Sequence, residues 1–177
     1  MAEVLEFWFR ECGSERWFGG GPELDAVIRE RFAATIEAAA TGALDHWAAT
    51  PEGAVALCVL LDQFPRNAWR DTPQAFAHDA KARALAMAAI AAGQDAALPT
   101  ERRLFLYLPL EHSEDLAHQE RCCALMAGLG CASWLDYAQR HRAIVARFGR
   151  FPHRNAILGR ASTPEEAAFL LEPGSSF

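Results

Sequence analysis

Apolar residues along this chain recur at helical spacing. After Pro22, the residues Leu24, Ile28, Phe32 and Ile36 fall every four positions and place one apolar stripe on a helix that stops before Gly42. Thr50-Pro51-Glu52 reads as a helix start: a capping hydroxyl, a proline in the first turn, and an acid at the positive end of the dipole. That helix runs through Val55, Val59 and Leu60 and is expected to finish near Phe64, because Pro65 disfavours helical backbone in the residue before it. An alanine-rich helix over residues 77–92 is closed by Gly93, and a shorter one over residues 98–108 is expected to be interrupted by Pro109. Residues 113–129 follow, with Ser113 as the N-cap, Glu114 and Asp115 in the first turn, and Gly128 and Gly130 at the end. Trp134, Ala138, His141, Val145 and Phe148 define the next helix, stopped by Gly149. Finally, Thr163-Pro164-Glu165-Glu166 has the spacing of a capping box, opening a helix expected to reach Pro173-Gly174.

The aromatic clusters Phe7-Trp8-Phe9 and Trp17-Phe18 are expected to anchor the core. No alternation with hairpin turns suggests a strand, and no tetratricopeptide repeat pattern recurs in tandem. The pattern therefore predicts an all-α protein of successive antiparallel helices, either a bundle or a short solenoid, in one domain over residues 1–177.

Composition narrows the function classes. The 177 residues carry a net charge of −6, which argues against general nucleic-acid binding, since that needs a basic stripe. Lys81 is the only lysine; every other cation is an arginine, a bias that accompanies the abundance of alanine and fits a GC-rich genome. Five cysteines without a C-x-x-C pair suit neither a disulfide framework nor a zinc site, and Cys58 sits in an apolar run as a small core residue. No basic stretch followed by an apolar one opens the chain, and the apolar runs fall short of the ~20 residues that cross a bilayer. A cytoplasmic protein with no membrane partner is expected.

Three segments concentrate the unusual polar residues. Residues 62–70, Asp62-Gln63-Phe64-Pro65-Arg66-Asn67-Ala68-Trp69-Arg70, put a burst of hydrogen-bonding groups at a helix end. Residues 147–155 repeat the Phe-Pro-Arg-Asn theme with one residue inserted, and residues 147–160 hold four arginines and His153 without an acid. Arginine forks of this kind hold carboxylates or phosphates. Glu111 and His112 stand just before a helix start, where an acidic ligand is favoured and His112 could exchange protons. Ser113 lacks the Gly-x-Ser-x-Gly setting of a nucleophile. Glu114 and His118 share a helix face, but two ligands fall short of the three or four a zinc site needs, so no metal and no cofactor is expected. His141, on the apolar face, reads as a hydrogen-bonded core histidine.

At these segments the chain resembles a bacterial domain family of unknown function with a tetratricopeptide-like helical fold. The resemblance rests on DQFPRNAWR from Asp62, LPLEHSEDLAHQE from Leu108 and RFGRFPHRNAILGRASTPEE from Arg147, with VLEFWF from Val4. It implies a short superhelix of antiparallel helix pairs and carries no activity, cofactor or partner.

Three functional readings remain. The leading one is a binding module holding a small anionic molecule or peptide segment, with Asp62, Arg66, Asn67, Glu111, Arg150, Arg154 and Asn155 as the binding set. The second is a hydrolase-like acid–base enzyme, in which His112 or His153 transfers protons while Glu111 or Asp62 orients it. In the third, the acids of these segments pair with the arginines in an internal network that only fixes helix packing. The oligomeric state is left open.

Overall fold

The stripe of Leu24, Ile28, Phe32 and Ile36 is buried along one helix of the computed structural model, which describes residues 1–176. In chain order the helices are α1 (Ala2–Glu6), α2 (Gly21–Ala40), α3 (Pro51–Cys58), α4 (Phe64–Ala68), α5 (Asp79–Ala91), α6 (Thr100–Glu111), α7 (Leu116–Ala127), α8 (Ala132–Phe148) and α9 (Pro164–Phe169). There is no strand among the described residues. The chain is all-α. It divides into two compact units: Met1–Arg70 with Gln74–Pro109, and Asp71–Pro73 with the described residues from Leu110 onward.

In the first unit, rings carry much of the core. Trp8 lies edge-on to Phe64 and to Phe105, each at 5.5 Å between centroids, and Phe32 sits 4.8 Å from Phe64. Such pairs add roughly 0.5–1.5 kcal/mol beyond the area they bury. Phe18, stacked on Phe105 at 6.3 Å, lies at the edge of this core with 65 % of its surface exposed. Thr50 caps α3 as its sequence implies, its hydroxyl accepting from the Gly53 amide at 3.1 Å. On α5, Ala82 and Ala86 are fully buried, and their small side chains let α5 lie close against α3.

Two prolines behave differently from expectation. The helix that begins at Pro51 does not end at Phe64: a π-helical turn, Val59–Gln63, leads directly into α4 with Pro65 in its first turn. The wider turn carries the Phe64 amide to the Val59 carbonyl and accommodates the proline, whose nitrogen donates nothing. Pro109 likewise lies inside α6, which continues to Glu111.

In the second unit, α7 packs on α8. Asp115, not Ser113, is the N-cap of α7, its carboxylate accepting from the amides of Ala117 at 2.8 Å and His118 at 3.4 Å. A carboxylate at this end of the dipole outcompetes a hydroxyl two residues earlier. Gly149 ends α8 in the left-handed conformation, φ 69°. The capping box of α9 forms as expected, but α9 stops at Phe169, before Pro173-Gly174.

Candidate functional site

The first polar segment lies in the first unit and is saturated by its own neighbours. The Asp62 carboxylate is almost fully buried at the π-turn, beside the Gln63 amide at 2.5 Å and Arg66 at 3.1 Å. Arg66 also donates to the Asp62 carbonyl at 2.6 Å and grips Asp79 with two bonds of 2.9 Å. Asn67 donates to the Gln63 carbonyl at 3.0 Å, and Arg70 forks onto Asp25. These groups satisfy a helix end and tie it to α2 and α5.

Within the third segment, Arg147, Arg150 and Arg160 meet carboxylates. Arg150 holds Glu166 through two bonds of 2.6 and 2.7 Å, and Arg147 reaches Glu165 at 3.0 Å. Glu166 also accepts from the Thr163 amide at 2.7 Å and from the Asn155 side chain at 3.4 Å. Arg150 first, then the Thr163 amide, hold the Glu166 carboxyl down at about 2. Arg160 clasps Glu114 with bonds of 2.7 and 2.9 Å, and the Phe151 amide adds a third donor at 2.8 Å. Burial would raise the Glu114 pKa, but these donors outweigh it and leave it below the ordinary carboxylate value. Arg150 and Asn155 thus belong to the framework that fixes the chain from α8 to α9.

That framework holds up a second kind of grouping around Phe151, which is fully buried. The Arg154 guanidinium lies over the Phe151 ring at 4.4 Å and donates to the His112 carbonyl at 3.1 Å. His153 and His141 flank the same ring, each at 5.6 Å, and His112 lies 6.1 Å from His141 between ring centroids. Glu111, at the last residue of α6, is buried with its Oε1 3.5 Å from His141 Nδ1. Cys122 donates its thiol to the other carboxylate oxygen at 3.9 Å. The fully buried Gln119 fixes the turn after Glu111 by donating to the carbonyls of Glu111 and Ser113.

The second and third segments therefore meet, Glu111 and His112 with His153 and Arg154, inside the second unit. His141 joins them while being the buried, hydrogen-bonded histidine that its place on the apolar face implies. Its Nδ1–H donates to the Tyr137 carbonyl at 2.9 Å, which leaves the lone pair on Nε2. Burial, reinforced by His112, lowers its pKa to about 3, so the ring is neutral at physiological pH. The helical period that puts His141 in line with Trp134 and Phe148 gives no sign of its nearness to Glu111 and His112, which only the folded chain brings together. One ligand atom from each of Glu111, His112 and His141 lies within 4.8 Å of the other two. Glu114 and His118, the pair noted in the sequence, are engaged elsewhere: Glu114 with Arg160, and His118 Nδ1 with the Ser113 hydroxyl at 2.9 Å.

The all-helical fold and the match to a bacterial family together define the class of the protein. Residues 4–174 match the family described as a bacterial protein of unknown function (DUF924), and the chain belongs to that family. It is similar to a solved structure described as a protein of unknown function, ATU0120, from Agrobacterium tumefaciens. The two share 44 % identity over 96 % of each chain, with a TM-score of 0.92. No curated protein matches the chain. None of the described helices is long and apolar enough to cross a membrane.

Proposed function

We propose that this protein is a binding module that takes a small anionic ligand at the Glu111–His112–His141–His153–Arg154 cluster of the second unit. The observation that carries the reading is the meeting of two separate segments around Phe151: a buried guanidinium stacked on a ring, with His112 and His153 half-buried beside it. A guanidinium and two imidazoles offer planar donors to a carboxylate or phosphate. In this reading Asp62, which accepts from Gln63 and pairs with Arg66, acts structurally, as do Arg66, Asn67, Arg150 and Asn155, whose donors serve neighbouring carboxylates and carbonyls.

The acid–base alternative draws on the same residues, His112 and His153, but His141, held neutral, is a poor proton acceptor near pH 7. A tetratricopeptide-like pairing of helices and a cytoplasmic setting belong to the proposal too. The packed pair α7 and α8 supports the first, and five cysteines without a disulfide among the described residues support a reducing compartment.

A thermal-shift panel of phosphates, carboxylates and acidic peptides tests the reading. A ligand at ~100 times its dissociation constant adds ~2.7 kcal/mol of stability. The expected outcome is a hit that Arg154→Ala abolishes; an empty panel, or hits indifferent to Arg154→Ala, would refute it.

A further inference from the structure

Glu111, His112 and His141 are drawn from two places in the chain, and the cluster owes its geometry to the framework around it. Glu111 closes α6, His112 follows it, and His141 comes from the middle of α8. We propose that these three residues hold a divalent transition cation of the zinc class. This goes beyond the anion-binding reading and does not depend on it.

Four observations support the assignment. The first is composition: two imidazoles and one carboxylate are a ligand set that zinc and its neighbours accept, with a fourth position left for water or another ligand. Next, the spacing is close to what an ion requires. Ligand atoms around tetrahedral zinc sit roughly 3.3 Å apart, given bonds of about 2.0–2.1 Å. Here they lie within 4.8 Å of one another, so modest turns of the His112 ring and the Glu111 carboxylate would close the site. A third support is the outer contact of His141. A metal-bound histidine commonly donates its second ring N–H to a carbonyl, which fixes the ring and its tautomer. The 2.9 Å bond from Nδ1 to the Tyr137 carbonyl does this and sets Nε2 as the nitrogen that carries the lone pair. Lastly, Glu111 is held from behind, its own carbonyl accepting from the buried Gln119 side chain.

The test uses the full chain, stripped with a chelator and titrated with Zn²⁺ by calorimetry and with Co²⁺ by absorption. One equivalent per chain is expected to bind, with no thiolate-to-cobalt charge transfer. Glu111→Gln and His112→Ala each weaken binding by roughly 100-fold or more, since even outer-sphere changes cost ~10–100-fold. Glu165→Gln, on an exposed acid of the framework, leaves it unchanged. X-ray absorption of the zinc-loaded wild type requires no variant to fold, and should show nitrogen and oxygen neighbours including two imidazoles. Absence of stoichiometric binding, a sulfur neighbour, or undiminished affinity in folded Glu111→Gln and His112→Ala would overturn the assignment.

Discussion

Replacing Glu114 by alanine removes the carboxylate on which the chain after α8 is fastened. Three donors converge there: Nη1 and Nη2 of Arg160 at 2.7 and 2.9 Å, and the Phe151 amide at 2.8 Å. The ion pair is a quarter exposed on each side, so its share is that of a partly screened pair, about 0.5–1 kcal/mol. The amide bond to a charged acceptor contributes about 1.5–2 kcal/mol more, because its loss strands a backbone donor beside the buried Phe151 ring. The total is about 2–3 kcal/mol, which for a chain of this length lowers Tm by about 5–10 °C. Glu114→Gln keeps one oxygen for the Phe151 amide and should lose about half as much. The folded-state pKa of Glu114 is depressed, so its contribution is complete above the unfolded value near ~4.5 and fades as pH falls below it. Urea melts at pH 7 and at pH 3 measure both effects. A loss at pH 7 below about 0.5 kcal/mol, the range of an ordinary surface change, would refute the reasoning, as would a gap that widens in acid.

Other residues yield further tests. In Gly53→Ala a Cβ would overlap the Trp47 carbonyl oxygen, so urea melts should show a loss of about 1–3 kcal/mol although alanine favours helix; a gain would refute the close approach. Glu166 titrates near 2, so its pairing with Arg150 stabilises fully above ~4.5 and is lost as pH falls toward 2. The stability gap between wild type and Glu166→Gln should therefore close in acid, and a gap constant from pH 7 to pH 2 would contradict the pairing. Cys131 has a thiol pKa lowered by Ser133 and the Trp134 amide, whereas burial raises Cys58 and Cys122. A disulfide reagent should modify Cys131 first and the other two only on unfolding; early loss of Cys58 or Cys122 would show that the core opens.

Helix type and order were legible because one apolar face per helix must be buried. The four-residue stripe of α2, the Thr50 cap and the Thr163 box all depend on neighbours close in sequence, and all appear where expected. Expectations failed where the backbone departs from the α-helical period or where two caps compete. A π-turn before Pro65 cannot be read from a stripe, and at α7 an aspartate displaced the serine. Phe18 departs from the rule that clustered aromatics are core, because its ring stacks on Phe105 from the exposed side. The polar segments were visible as oddities of composition, but their partners were not: Glu166 and Asp79 lie 16 and 13 residues from their arginines. The nearness of His141 to Glu111 and His112 was not legible, since its ring satisfies a helical stripe and faces a polar cluster at once.

Long-range ¹H–¹⁵N spectra of the histidine side chains test most directly the claim that the functional centre is the second-unit cluster. The spectra should show His141 as the neutral tautomer protonated on Nδ1 at pH 7. On addition of Zn²⁺ or of an anion found by the thermal panel, the rings of His112, His141 and His153 should shift or broaden, while His46 and His78 stay unmoved. Saturable changes confined to His46 or His78, or no change in the three cluster rings with either addition, would contradict the account.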